Sequence, residues 1–267
     1  MTSGKQARRR RQAAAAPPPV QRKGERRRAS PKVLVGAALA LVLIVVGVVA
    51  ALALSGGSSS SAKTPTRGSL TNALPNAADA QHLFAGIPQS GNVLGSPNAP
   101  VTLVEYIDLQ CPVCREFESA VMPDIVDRYV RTGKLKIEAR PILAIGPDSV
   151  KGQRAAIAAG RQNRLFNFMQ VVYYNQLTEN SGWLNAGFVK KAAASIPGLD
   201  VTQFARDLNS SAVVQQAKRF DAEATADNLR FTPLLLVGKT GTKPRYVPIA
   251  NGDDEATLVK AIKKALR

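Results

Sequence analysis

The chain has only two cysteines and one histidine in 267 residues. That scarcity excludes several kinds of chemistry. Beyond Cys111 and Cys114 no cysteine remains for a disulfide framework. A structural zinc site takes four ligands, and these two cysteines with His82 cannot supply them within one chain, so no metal is expected. His82 is expected to be solvated, so no Ser-His-Asp set is available. No Gly-rich phosphate loop, paired-carboxylate motif or internal repeat is visible either.

Charge is also absent where it would be most common. Val33 to Leu54 contains no charged or strongly polar residue. Twenty-two residues at about 1.5 Å each span roughly 33 Å, enough to cross a bilayer core, so 33–54 is expected to be a single transmembrane helix. The net charge of +17 is concentrated ahead of it. Residues 1–32 hold 11 basic side chains against Glu25 alone, leaving 25 basic and 18 acidic residues for the rest. This tail, with its Ala and Pro runs, is expected to be disordered and cytoplasmic, its cations facing anionic headgroups. The positive-inside tendency then puts everything after Ser55 outside the membrane. Ala51-Leu52-Ala53 resembles a small-x-small cleavage site, so a cleaved signal peptide is the competing reading; the domain is exported in both. The remaining chain shows no basic face with stacking elements, and no nucleic-acid partner is expected.

Residues 55–78 open with Ser-Gly-Gly-Ser-Ser-Ser-Ser and read as a flexible linker, with a root-mean-square span of roughly 25–30 Å. The globular domain is expected over 79–267. Val101 to Ile107 has strand composition. Pro112 to Arg131 reads as a helix, with Pro112 in the first turn, Gly133 past the end and a kink or break at Pro123. A strand follows over Lys134–Leu143, then a helical block over about 149–229. Leu234–Val237 and Arg245–Ile249 are expected to form a hairpin, and Asp253 to cap a last helix with Leu258, Ile262 and Leu266 on one stripe.

What is present is Cys111-Pro112-Val113-Cys114. Two thiols at this spacing can close and reopen a disulfide, a two-electron redox centre. A static brace is the weaker reading, because so short a loop gives little chain-entropy stabilisation. The motif falls where a strand ends and a helix begins, and a helix N-terminus favours an anion. Cys111 is therefore expected to be the exposed, reactive thiolate, and Cys114 the more buried resolving thiol. Pro112 stiffens the turn. Phe166, Phe168, Tyr173, Tyr174 and Trp183 could line a peptide groove, although helical spacing favours the core.

The stretch from Gly95 to Arg115, the later Thr232-Pro233 with apolar Leu234 to Gly238, and the β-α-β, helical insertion, β-β-α order together resemble the DsbA-like thiol:disulfide oxidoreductases. The resemblance covers roughly residues 90–267. It implies an α/β thioredoxin-like fold with an inserted helical subdomain, here preceded by the transmembrane helix. It implies a cis-proline at Pro233 beside the cysteines, with the Thr232 backbone free to pair with a substrate chain. It places Glu105, six positions before Cys111, beneath the motif as a proton carrier for Cys114; a plain ion pair at a strand end is the alternative. Asp108 also matches the pattern and, if it acts at all, caps a turn.

The resemblance further implies substrates that are secreted or membrane proteins with cysteine thiols, no cofactor beyond the redox-active disulfide, and a quinone-linked membrane oxidase for recycling. Oxidation of substrate dithiols is the favoured direction. A reductase or isomerase using the same residues, and a non-enzymatic peptide-binding module, are the rivals. Two departures restrain this. Val113 stands where the strongest oxidants of the family carry a histidine, so a less depressed Cys111 pKa is expected. Phe231, before Thr232, is bulkier than the small residue often found there.

Overall fold

The structure, a computed structural model, describes residues 65–267. The expected basic tail, membrane helix and first part of the linker lie outside the described residues. Among the described residues no helix is long and apolar enough to cross a membrane.

A six-stranded sheet carries the site. Its strands are β1 (Gln89–Ser90), β2 (Val93–Leu94), β3 (Val101–Ile107), β4 (Leu135–Pro141), β5 (Leu234–Lys239) and β6 (Arg245–Tyr246). They lie in the order β1-β2-β4-β3-β5-β6. β3 runs parallel to β4 and antiparallel to β5. All seven residues of β3 are buried, which is why it reads as a nearly continuous apolar run rather than an alternating one. β6 stops at Tyr246 instead of reaching Ile249: Pro248 has no N–H to extend a ladder.

The helix after the motif is broken, as its proline requires. α2 (Pro112–Ala120) ends at Val121, and α3 (Met122–Ile125) restarts with Pro123 in its first turn. A proline ring at 123 clashes with the carbonyl four residues back, at Ser119. A π turn over Val126–Val130 follows.

The helical block comprises α4 (Ser149–Gly160), α5 (Leu165–Tyr174), α6 (Ala186–Ala194), α7 (Val201–Asp207) and α8 (Ser211–Ala226). α5 is its axis: nine of its ten residues are buried. A helix apolar on all sides must be covered on all sides, and α5 packs against α2, α4, α6 and α1 (Ala77–Phe84). Phe166, Phe168, Tyr173 and Trp183 are core residues, as their helical spacing favoured; half-buried Tyr174 borders a shallow groove with Pro112, Val113 and Tyr173. The last helix, α9 (Glu255–Leu266), is capped by Asp254 rather than Asp253; the Asp254 carboxylate accepts from the Thr257 N–H at 3.2 Å. Leu258 and Ile262 are buried beneath it, and Leu266 is half-buried.

Residues 66–78, read as linker, are tied to the domain by backbone hydrogen bonds, although most of their side chains are exposed. The Gly68 N–H donates to the Leu199 carbonyl at 2.8 Å and the Ser69 N–H to Ala194 at 2.9 Å. Gly68 is obligatory there, because a Cβ would lie 2.1 Å from the Ile196 carbonyl oxygen. Composition concealed this segment: its partners are backbone carbonyls of α6 and the turn after it, which ask nothing of its side chains. α1 then places Ala77, Ala80 and Phe84 in the core. His82 sits within α1, exposed as expected.

Candidate active site

β3 delivers the chain to the motif at the sheet's end. The turn Asp108–Gln110 follows, and Cys111 is the N-cap of α2 with Pro112 at the first helical position. The Cys114 N–H points at Cys111 Sγ, 3.4 Å away, so one of the helix's orphan donors faces the sulfur. β5 pairs with β3 in the register Glu105↔Leu235 and Tyr106↔Leu234. That register brings the residues before Leu234 to the end of β3. The Thr232–Pro233 bond there is cis, and the Thr232 carbonyl lies 3.5 Å from Cys111 Sγ. Pro233 is buried and Phe231 exposed at 49%.

Cys111 is not the open sulfur expected. Its accessibility is 4%, against 0% for Cys114, because the Thr232–Pro233 segment lies over it. Both are free thiols. The Cys111 pKa falls from 9.0 to about 6. The largest cause is the hydrogen bond from the Cys114 thiol; burial opposes it; the Thr232 side chain and the backbone N–H groups of Cys114 and Val113 lower it further. The neighbouring thiol therefore outweighs the helix terminus, which the sequence offered as the main source of stabilisation. Val113 contributes a backbone donor, and its side chain stands 40% exposed at the site's rim. Cys114 moves the other way: burial, then its bond to Cys111, push it well above the usual thiol range.

Two carboxyl groups lie in the interior beside the motif. Glu105 shares a face of β3 with Leu103 and Ile107. It is fully buried, and neither of its carboxyl oxygens has a hydrogen-bond partner. Burial raises its pKa to about 8. Glu118, buried on α2, has one unpartnered oxygen. It is raised well above the ordinary value by burial, then by the Glu105 charge. Among the described residues neither carboxyl has a salt-bridge partner, so the ion-pair reading of Glu105 does not hold in this structure. Burial thus favours the protonated form of both carboxyls. Glu118 escaped sequence reasoning. Its signal was the four-residue spacing from Cys114, which sets both on the inward face of α2.

The loop carrying Cys111 is clamped from the helical block. The Tyr173 hydroxyl donates to the Asp108 carbonyl at 3.2 Å. Gln176 Nε2 donates to the carbonyls of Leu109 (2.9 Å) and Cys111 (3.2 Å). Gln110 Nε2 donates to Ser149 Oγ at 2.9 Å. Asp108 caps its own turn, accepting from the Gln110 N–H at 2.9 Å, and holds the N–H groups of Ala144 and Ile145 at 2.8 Å each. Gln110, Tyr173 and Gln176 were not foreseen; nothing in a single sequence links a turn to helices tens of residues away. The structure thus brings Cys111, Pro112, Val113, Cys114, Thr232 and Pro233 together, while Glu105 lies back on β3 within electrostatic reach of Glu118. No cluster of three or more metal-ligating side chains occurs among the described residues.

Comparison with known proteins agrees with this geometry. The chain is 28% identical over 177 residues to the probable disulfide bond formation protein D of Bacillus cereus, covering 65% of this chain and 78% of that one. It is 30% identical over 179 residues to Na(+)/H(+) antiporter NhaA 1 of Mycolicibacterium gilvum, covering 66% of this chain but only 26% of the antiporter. Among solved structures, oxidised BdbD from Bacillus subtilis superimposes with a TM-score of 0.59 at 22% identity, over 67% of this chain and 97% of BdbD. The family model described as Thioredoxin matches residues 89–263. With a matching fold, motif and family model, the chain belongs to the thioredoxin family.

Proposed function

We propose that this thiol:disulfide oxidoreductase works in the oxidising direction, on substrate proteins bearing pairs of cysteine thiols. A substrate thiolate attacks Sγ of Cys111 in the Cys111–Cys114 disulfide. The S–S bond breaks, and the electron pair leaves on Cys114, which takes up a proton and stays neutral in its buried setting. A second substrate thiolate then attacks the substrate sulfur of the mixed disulfide, and Cys111 departs as thiolate. The substrate has lost two electrons and two protons; the motif has gained both electrons and, on Cys114, one proton, and the other proton goes to solvent. In this reading Glu105 and Glu118 exchange the proton that Cys114 takes and later returns.

One observation supports the direction above all: the Cys111 thiolate is stabilised, with a pKa of about 6. A dithiol form that is held favourably makes its disulfide a stronger oxidant. The name printed for the Bacillus cereus relative, disulfide bond formation, is in accord. We further propose that residues 33–54 anchor the protein in the cell membrane as a single pass, with the N-terminus cytoplasmic and the catalytic domain outside. In this reading the redox-active disulfide is the whole prosthetic chemistry, and a quinone-linked membrane oxidase reoxidises it.

The reduction potential of the Cys111–Cys114 pair tests the direction. A value nearer to about −120 mV than to about −270 mV is expected. A value at the lower end would assign the protein to the reductases.

A further inference from the structure

Some 10–20 Å along β5 from Pro233, by its rise of about 3.3 Å per residue, the β5–β6 hairpin and α9 enclose a groove whose charged lining is cationic throughout. Lys239, Lys243 and Arg245 come from the hairpin, and Lys260 and Lys264 from α9. All five are exposed. None makes a salt bridge with any acid among the described residues. Lys260 and Lys264 are four apart and share one face of α9, with Ala261 and Ala265 supplying an apolar floor. The acids of this helix lie at its other end, where Glu255 pairs with Arg128 at 2.6 Å. Lys264 in the last turn complements the helix dipole, but that does not account for three cations on the facing hairpin.

Two exposed aromatic rings stand between the groove and the thiol site. Tyr246, 46% exposed, pairs with Leu236 at the groove's near lip. Its ring meets Phe231 edge-on, centroids 6.1 Å apart. Phe231 is bonded to Thr232, whose carbonyl lies 3.5 Å from Cys111 Sγ. An exposed aromatic pair thus bridges the segment over the sulfur and the cationic trough. Like charges left unpaired and facing one another repel, and an anionic occupant relieves that repulsion. A concave trough between a hairpin and a helix fits an extended chain better than a flat layer of lipid headgroups.

Resting on the thiol-exchange reading, we propose that this groove selects substrates: it binds an acidic segment of the substrate polypeptide, separated by about three to six extended residues from the cysteine that reaches Cys111. The protein therefore prefers dithiol chains whose reactive cysteine is flanked, at that distance, by Asp and Glu.

The test uses the full-length protein, oxidised, and dithiol peptides identical except for three Asp, three Asn or three Lys at that spacing. At low salt the Asp peptide should be oxidised about tenfold faster than the Asn peptide, and the Lys peptide slower, as electrostatic steering predicts. The Asp-to-Asn ratio should fall toward one in about 1 M salt, where the screening length is about 3 Å. In the Lys243→Glu/Arg245→Glu/Lys264→Glu variant it should fall to one or below. The basic N-terminal tail is common to both proteins, so their difference isolates the groove. Equal rates for Asp and Asn peptides in the wild type overturn the proposal, as does a preference that survives in the variant. So does loss in the variant of sedimentation with vesicles of 30% phosphatidylglycerol in phosphatidylcholine while the peptide ratio stays at one, which assigns the groove to lipid. If no peptide reacts, the exchange reading fails instead. A cysteine-free Asp peptide, followed by fluorescence anisotropy, then decides the groove: binding to the wild type and not the variant supports it, and equal binding ends it.

Discussion

The sheet and the helical block differ in what each gives the site. The sheet side supplies the reacting atoms and the surface a substrate meets: Cys111 and Cys114 at the end of β3, Thr232 and Pro233 ahead of β5, Glu105 within β3. The helical block supplies no reacting atom. Its Tyr173, Gln176 and Ser149 hold the turn from Asp108 to Cys111 by its own backbone and side chain. Chemistry is concentrated in one half and positioning in the other. The two halves should therefore fail differently when mutated.

The largest effect is expected on the sheet side. Cys111→Ser should reduce oxidation of a dithiol peptide to the uncatalysed background, while the helical block stays folded by circular dichroism. Full activity in that variant would end the redox assignment. Glu105→Gln comes next. Its folded-state pKa of about 8 lies above the ordinary 4.5. Between those values the folded protein keeps a proton that the unfolded chain releases. Wild-type stability is thus greatest below the ordinary value and is lost as the pH rises toward 8. Urea unfolding across this window should show a shallower decline for Glu105→Gln, and a still shallower one with Glu118→Gln added. Identical slopes would mean that the carboxyls are not a protonated pair.

A smaller effect is expected from the helical side. Gln176→Ala leaves the Leu109 carbonyl without its donor and the Cys111 carbonyl with the Arg115 N–H alone, at a cost of about 1–3 kcal/mol in urea unfolding. If the helical block positions the motif, the Cys111 titration should shift as well; a change in stability alone would reduce it to a cover. The smallest concerns one contact on the other side of the sulfur. Ultraviolet thiolate absorbance should show Cys111 half-ionised near pH 6 in the reduced protein. Thr232→Val, which removes a stabilising side-chain bond, should move the midpoint upward. A wild-type midpoint near an ordinary thiol would remove the physical basis for the oxidising direction.

The same division governs what could be read in the sequence. β3, the break near Pro123 and the helical block were legible because each is written in local pattern: a β-branched run, a proline, an apolar period. The cysteine pair was legible because no other cysteine competes for the role. The clamps on the loop were not, because Gln176 looks like any polar residue after a helix until the fold brings it beneath Leu109. The strap of residues 66–78 was hidden for a similar reason, since glycine, serine and proline signal loops whether or not the backbone is bonded. The depression of the Cys111 pKa was foreseen in direction. Its leading cause was not, since it depends on how two sulfurs face each other across one helical turn.

The 4% accessibility of Cys111 bears on when in its life a client protein can be served. With the Thr232 carbonyl 3.5 Å from Sγ, an extended stretch of chain reaches this sulfur more readily than a folded surface does. A cysteine enclosed in a finished domain has no such stretch to offer. The enzyme should act on newly emerged chains and pass over matured ones, so an unfolded dithiol protein should be oxidised quickly and the same protein, once refolded with its thiols inside, left alone. On the proposed function, the cover over Cys111 would set the timing, confining disulfide formation to the interval before the client closes up.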